Sequence, residues 1–327
     1  MRSLSGASLG VVAVLALGSV TSAVGCAKVG EIQSKKAFKA ANAQYQQQDY
    51  KKASDLYEQT IAAAPDTPTA HQALFFLGNS YDNQYKASKK GDPANDALLT
   101  KAVANYQKAA ETLSASPDPA DKKLGKLSLE YLVASYGADK LNDPAKAEPV
   151  VQRMIQLEPG EPTNYFALAK IYEDAGAYDE AEKMLVQAKN AKPGDPAVYM
   201  TLAGYYNRQG HFDKTMEALE ERASKEPNNP DAFYTIATYY WDEAYRDFKL
   251  KEAEKKDFVA KGTTAIDHAL QLKPDYVEAI VYKGLLLRLQ ANLEKDPAKQ
   301  QALLKEAQTL SEKANAMRKA KASGTAP

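Results

Sequence analysis

Three histidines and one cysteine are the side chains here best suited to metal ligation, proton transfer or nucleophilic attack. His71 stands at the opening of a helical segment, His211 in a turn after Gly210, and His268 within a further helical stretch. A zinc site needs several such ligands at short spacings, and none of these residues has a His or Cys neighbour at that distance. A Ser-His-Asp constellation needs its base held between nucleophile and acid, and nothing in the spacing gathers these groups. Gly137, Gly160 and Gly262 are isolated, so no glycine-rich phosphate loop is present. The adjacent acids Glu173-Asp174 and Glu220-Glu221 read as solvated helix faces rather than as an acid/base pair. The expectation is therefore a chain with no catalytic, cofactor or metal site and no small-molecule substrate.

Composition narrows the class further. The 327 residues carry 42 Lys+Arg and 42 Asp+Glu, a formal net charge of zero. Nucleic-acid binders carry a basic excess that is missing here. With 44% hydrophobic residues the chain can build a core, while a mean hydropathy of −0.51 excludes a polytopic membrane protein. A single cysteine cannot form an internal disulfide.

That cysteine has a telling place. Arg2 is followed by an apolar run from Leu9 to Leu17 and then by small residues, the pattern of a secretory signal over residues 1–25. Ala23-Val24-Gly25-Cys26 resembles the lipobox of bacterial lipoproteins, which implies acylation of Cys26 and a short linker over 26–30. On that reading the protein sits at the cell envelope, lipid-anchored and periplasm-facing on the outer membrane. Ordinary cleavage after Ala23, giving a periplasmic or secreted chain, and an uncleaved anchor remain open alternatives.

The remaining chain is periodic. Pro159, Pro193 and Pro227 are 34 residues apart, and so are Pro162, Pro196 and Pro230. Tyr165, Leu168, Ala169 and Tyr172 return as Tyr199, Leu202, Ala203 and Tyr206. Gly176, Tyr178, Ala181, Leu185 and Ala188 return as Gly210, Phe212, Thr215, Leu219 and Arg222. Leu168, Ala169 and Tyr172 make an apolar stripe on a first helix, and Ala181, Leu185 and Ala188 make one on a second. Glycine permits the turn between them, and proline stops one unit and presets the next. No unit buries both faces alone, so units must stack.

This period and these residue types resemble the tetratricopeptide repeat. The resemblance implies an all-α, right-handed superhelical solenoid of about seven repeats and 14 helices over residues 31–320, with a frayed tail at 321–327. Repeats 2, 6 and 7 depart from the period by 11 to 13 extra residues, seen by aligning 97–109 with 302–314 and 257–269. A longer second helix in each is expected, opened in two of them by Asp92-Pro93 and Asp296-Pro297.

With no residues left over for a catalytic domain, the resemblance implies a non-enzymatic interaction scaffold. Family members line a groove with positions 2, 5, 9, 12 and 13 of each first helix, one face of a 3.6-period helix. Carried onto this sequence, position 5 is Phe75, Phe166, Met200, Tyr234 and Val281. Positions 9 and 12 bring in Asn79, Lys170, Asn207 beside Arg208, Trp241 and Arg288. Phe166 and Met200 stand where a lysine would clamp a C-terminal carboxylate, so a partly apolar peptide or helix of a protein partner is the expected ligand. The alternative function is a soluble periplasmic or secreted scaffold acting mainly through self-association.

Overall fold

The computed structural model describes residues 18–323, with side chains from Lys28 onward. Most of the expected signal segment, the Cys26 side chain and residues 324–327 of the expected tail lie outside the described residues. Fourteen α-helices and one 3-10 turn (Ala87–Lys89) make up the regular structure, with no strand among the described residues. They group into two units, one ending at Pro159 and the other starting at Gly160.

The first unit holds α1 (Gly18–Gln46), α2 (Tyr50–Ala63), α3 (Pro68–Gln84), α4 (Pro93–Ser114), α5 (Pro119–Tyr136) and α6 (Pro144–Leu157). The second holds α7 (Pro162–Asp174), α8 (Tyr178–Ala191), α9 (Pro196–Arg208) and α10 (Phe212–Lys225). It continues with α11 (Pro230–Arg246), α12 (Glu252–Leu272), α13 (Val277–Leu293) and α14 (Pro297–Ala322). Within each unit every helix packs on the next, so successive hairpins stack as a helical-repeat solenoid.

Local chemistry explains where each helix starts and ends. Helices α3, α4, α5, α6, α7, α9, α11 and α14 all begin on proline, which lacks the N–H that a first turn leaves orphaned. A side-chain oxygen caps each of them: the Asp195 carboxylate accepts from the Ala197 N–H at 3.0 Å, and that of Asp118 from Ala120 at 2.7 Å. Each such cap contributes about 1 kcal/mol. Gly176 and Gly210 close α7 and α9 with φ of 76° and 75°, a left-handed geometry that side chains resist. The following N–H groups, of Ala177 and His211, donate back to Tyr172 and Tyr206, so orphan carbonyls are satisfied at both turns. Pro149 lies inside α6 and removes one backbone donor there.

The apolar stripes meet as their spacing requires. Ala181, Leu185 and Ala188 of α8 are buried, as are Leu168 and Ala169 of α7. The extra residues of the irregular repeats are shared between both helices of a hairpin, rather than confined to the second. The first helices α3, α11 and α13 have 17 residues against 13 in α7 and α9. The second helices α4 and α12 have 22 and 21 against 14 in α8 and α10. Leu99 and Val259 from the added turns are buried, which accounts for the longer packed hairpins. Two boundaries also shift. Residues 26–30, expected as a linker, belong to α1, and α14 runs to Ala322.

Candidate partner-binding site

In the second unit, α11 presents an aromatic stripe. Tyr234, Thr238, Trp241, Tyr245 and Phe248 follow at spacings of 4, 3, 4 and 3, which keeps them on one side of the helix and its C-terminal exit. Tyr282 of α13 sits between the upper and lower rings, 5.4 Å from Tyr234 and 5.5 Å from Trp241. Trp241 and Tyr245 lie parallel at 5.0 Å, and Tyr276 at the start of α13 completes the row 5.1 Å from Tyr234. Tyr234 and Trp241 are half-buried, whereas Tyr245 is 63% and Phe248 90% exposed. Aromatic contacts of this geometry hold rings in fixed places while leaving their outer faces open.

One residue of helix advance separates this strip from the core. Tyr240 is buried and packs on Phe212 and Phe258, at 5.8 and 5.7 Å. Phe258 thus roots the long hairpin through Tyr240 rather than through Trp241. The strip's underside is polar. The Tyr276 hydroxyl donates to Asp231 at 3.1 Å, and the same carboxylate accepts from the Arg222 guanidinium at 3.2 Å. Burial pushes the Tyr234 phenol up, and burial with the Asp231 carboxylate does the same for Tyr276. Burial also pushes the Glu243 carboxyl up, assisted by Asp247 and Asp242.

The other expected groove residues divide. Phe166 and Val281 are half-buried on α7 and α13. Lys170 is exposed and paired with Asp174. Arg208 reaches from α9 to α7 and donates two hydrogen bonds to Glu173, both at 2.9 Å. Those bonds hold the Glu173 carboxyl below its ordinary range. With their charges already paired, Lys170 and Arg208 are poorly placed to clamp a ligand carboxylate. Met200 offers its sulfur to Arg222 at 3.0 Å. Arg288 is exposed and has no ion-pair partner among the described residues.

Phe75 is a correction. It is 6% exposed, in contact with the rings of Phe76, Tyr106 and Tyr131, so it belongs to the core of the first unit and lines no open groove. Asn79, one helical turn on, is buried too, where it accepts from the Tyr45 hydroxyl at 2.6 Å. Tyr106 of α4 and Tyr131 of α5 supply the rings that cover Phe75, and Tyr45 of α1 reaches Asn79. Tyr245, Tyr276, Tyr282 and Phe248 were not among the expected residues. The 3–4 spacing onward from Tyr234 is the signal that would have found two of them.

Among the described residues no cluster of His, Cys, Asp or Glu could hold a metal ion, and no helix is long and apolar enough to cross a membrane.

Family models for the tetratricopeptide repeat match residues 38–118 and 140–205. No curated protein sequence matches the chain. Among solved structures, it is similar to the C-terminal part of a repeat-containing protein of this type from Cytophaga hutchinsonii, at 13% identity and a TM-score of 0.53. That match covers 86% of this chain and 98% of the other. A tetratricopeptide repeat protein from Parabacteroides merdae matches at 13% identity and a TM-score of 0.45, covering 84% of this chain and 99% of its own. The MamA protein matches at 16% identity and a TM-score of 0.41 over 62% and 96%.

Proposed function

The chain is a tetratricopeptide repeat protein, and from that premise we propose that it is a non-enzymatic scaffold gripping a partner protein along the α11–α13 aromatic strip. The observation that carries the reading is the open row Tyr234, Tyr282, Trp241 and Tyr245. These rings are fixed by one another yet keep accessible faces, whereas Tyr57, Tyr106 and Tyr199 are fully buried. Large rigid rings bury much area at small entropy cost, which makes them favoured anchors of an interface. Paired charges on α7 and α9 leave the apolar strip as the more attractive feature, so the ligand is a partly apolar peptide or amphipathic helix.

The scaffold works at the bacterial cell envelope, held by acyl chains on Cys26 and facing the periplasm. What supports this is the lone cysteine placed directly after a signal-like apolar run. Two or more chains would give stable anchoring where one would not.

Affinity capture from solubilised membranes tests the binding function. Wild-type protein should retain a partner that Trp241→Ala with Tyr245→Ala loses, while light scattering shows the unbound chain to be monomeric. Equal retention by both proteins, or capture of nothing but further copies of the chain, would overturn the reading.

A further inference from the structure

Among the described residues, no hairpin packs on the outer side of α1. The inner side carries Ser34 and Ala41, both fully buried, with Phe38 packed against Tyr57 and Phe76. On the outer side stand Lys28, Val29, Ile32, Lys35, Lys36 and Lys39, all exposed. At 100° per residue these six fall within about a third of the helix circumference. Val29 is 54% and Ile32 67% exposed, unusual for aliphatic side chains in this fold. Glu31 is the one acid between Cys26 and Asp49, and it is taken up by Lys35 at 2.7 Å. The strip is therefore basic with two projecting aliphatics.

We propose that this face of α1 docks on an anionic lipid surface. Lysine stems can lie along the interface with their ammonium groups among the phosphates, while Val29 and Ile32 enter the headgroup boundary. Charge argues against a second copy as the occupant. With Lys35 paired to Glu31, a two-fold contact would set Lys28, Lys36 and Lys39 against the same three. A head-to-tail contact would meet α14, whose residues 297–322 hold six basic and two acidic groups. Both ends of the described helix series are basic, so neither mode of self-stacking is favoured. The inference rests on the envelope reading above, and it adds an orientation. Because α1 is continuous from Cys26 to Gln46, the anchored end passes without a linker into the first hairpin, so docking would lay that hairpin at the bilayer surface.

The test uses the full chain purified from its membranes and reconstituted in phosphatidylcholine vesicles with or without phosphatidylglycerol. A nitroxide on Ile32→Cys reports collisions with a water-soluble relaxant. Protection should appear only with phosphatidylglycerol and should fade with added salt. Lys28, Lys36 and Lys39 each contribute about fivefold to docking, so changing all three to Gln should lower the docked fraction's ratio about a hundredfold. Equal exposure in both vesicles, or protection that follows protein concentration rather than lipid composition, would overturn the proposal. Mass spectrometry of the same sample reads acylation of Cys26 separately. If Cys26 is found unacylated, the label is placed on Ile32→Cys in a Cys26→Ser background, and its protection by anionic vesicles would then refute the anchor and keep the docking.

Discussion

Arg222 offers a sharp test of how the second unit is held together. It stands where the preceding repeat has the fully buried Ala188, and it is itself only 9% exposed. Its guanidinium donates to Glu226 at 2.8 Å, to Asp231 at 3.2 Å and to Thr235 at 3.4 Å, tying the end of α10 to the start of α11. Asp231 in turn receives the Tyr276 hydroxyl beneath the aromatic strip. In Arg222→Ala, water can take over at Asp231, whose side chain is 52% exposed, so that partner is discounted. The bond to the less exposed Glu226 is worth about 1.5 kcal/mol. Two lost methylenes add about 0.8 kcal/mol each. The sum is about 3 kcal/mol, and Arg222→Met, which keeps the stem, should lose about half of it. A repeat array need not melt as one unit, so the assay is hydrogen exchange followed peptide by peptide. Amides of α10 and α11 should exchange about a hundredfold faster in Arg222→Ala, with α3 and α4 as the unaffected reference. Unchanged exchange in α10 and α11, or equal acceleration in α3 and α4, would refute the reasoning.

Trp241 is the sole tryptophan; its emission should be partly quenched by iodide in the free protein and shift blue, with less quenching, on partner binding. Gly176→Ala and Gly210→Ala should each cost about 1 kcal/mol from backbone strain alone, since nothing lies within 4 Å of either new Cβ. Gly194→Ala, equally open and without a positive φ, should be nearly neutral by the same denaturation measurement. The Arg208–Glu173 clasp depresses the folded-state pKa of Glu173. Its contribution is therefore complete above the ordinary glutamate value and is lost as pH falls through the lowered one. Exchange in α7 and α9 should accelerate over that acid range, and Arg208→Gln should remove the dependence. Cys26→Ser should release the chain from membranes into the soluble fraction; retention at wild-type level would refute acyl anchoring.

The hairpin series was legible because its determinants are local. Proline at a first helical position, Asp or Asn before it, and glycine at a left-handed turn act within a few residues of themselves, so a 34-residue recurrence exposes them. The stripe of Ala181, Leu185 and Ala188 is equally local. Burial of Phe75 was not, because Tyr106 and Tyr131 reach it from α4 and α5, and a helical wheel for α3 alone shows an outward aromatic. The departure at Arg222 was visible but its partner was not, for a related reason: a charge at a small-residue position looks like a defect until Asp231 of the next helix is seen to meet it. The strip itself was half visible. Tyr234 and Trp241 share a face by spacing alone, but Tyr276 and Tyr282 join them only through the packing of α13 on α11.

Site-specific photocrosslinking in cells tests the binding claim most directly. A photoreactive side chain at Tyr245, 63% exposed at the lower end of the strip, is compared with one at Tyr178, 48% exposed at the start of α8. The account predicts a discrete adduct with one other protein from position 245, abolished by Trp241→Ala, and none from position 178. Adducts from 178 but not from 245, or adducts from 245 only with further copies of the chain, would contradict it.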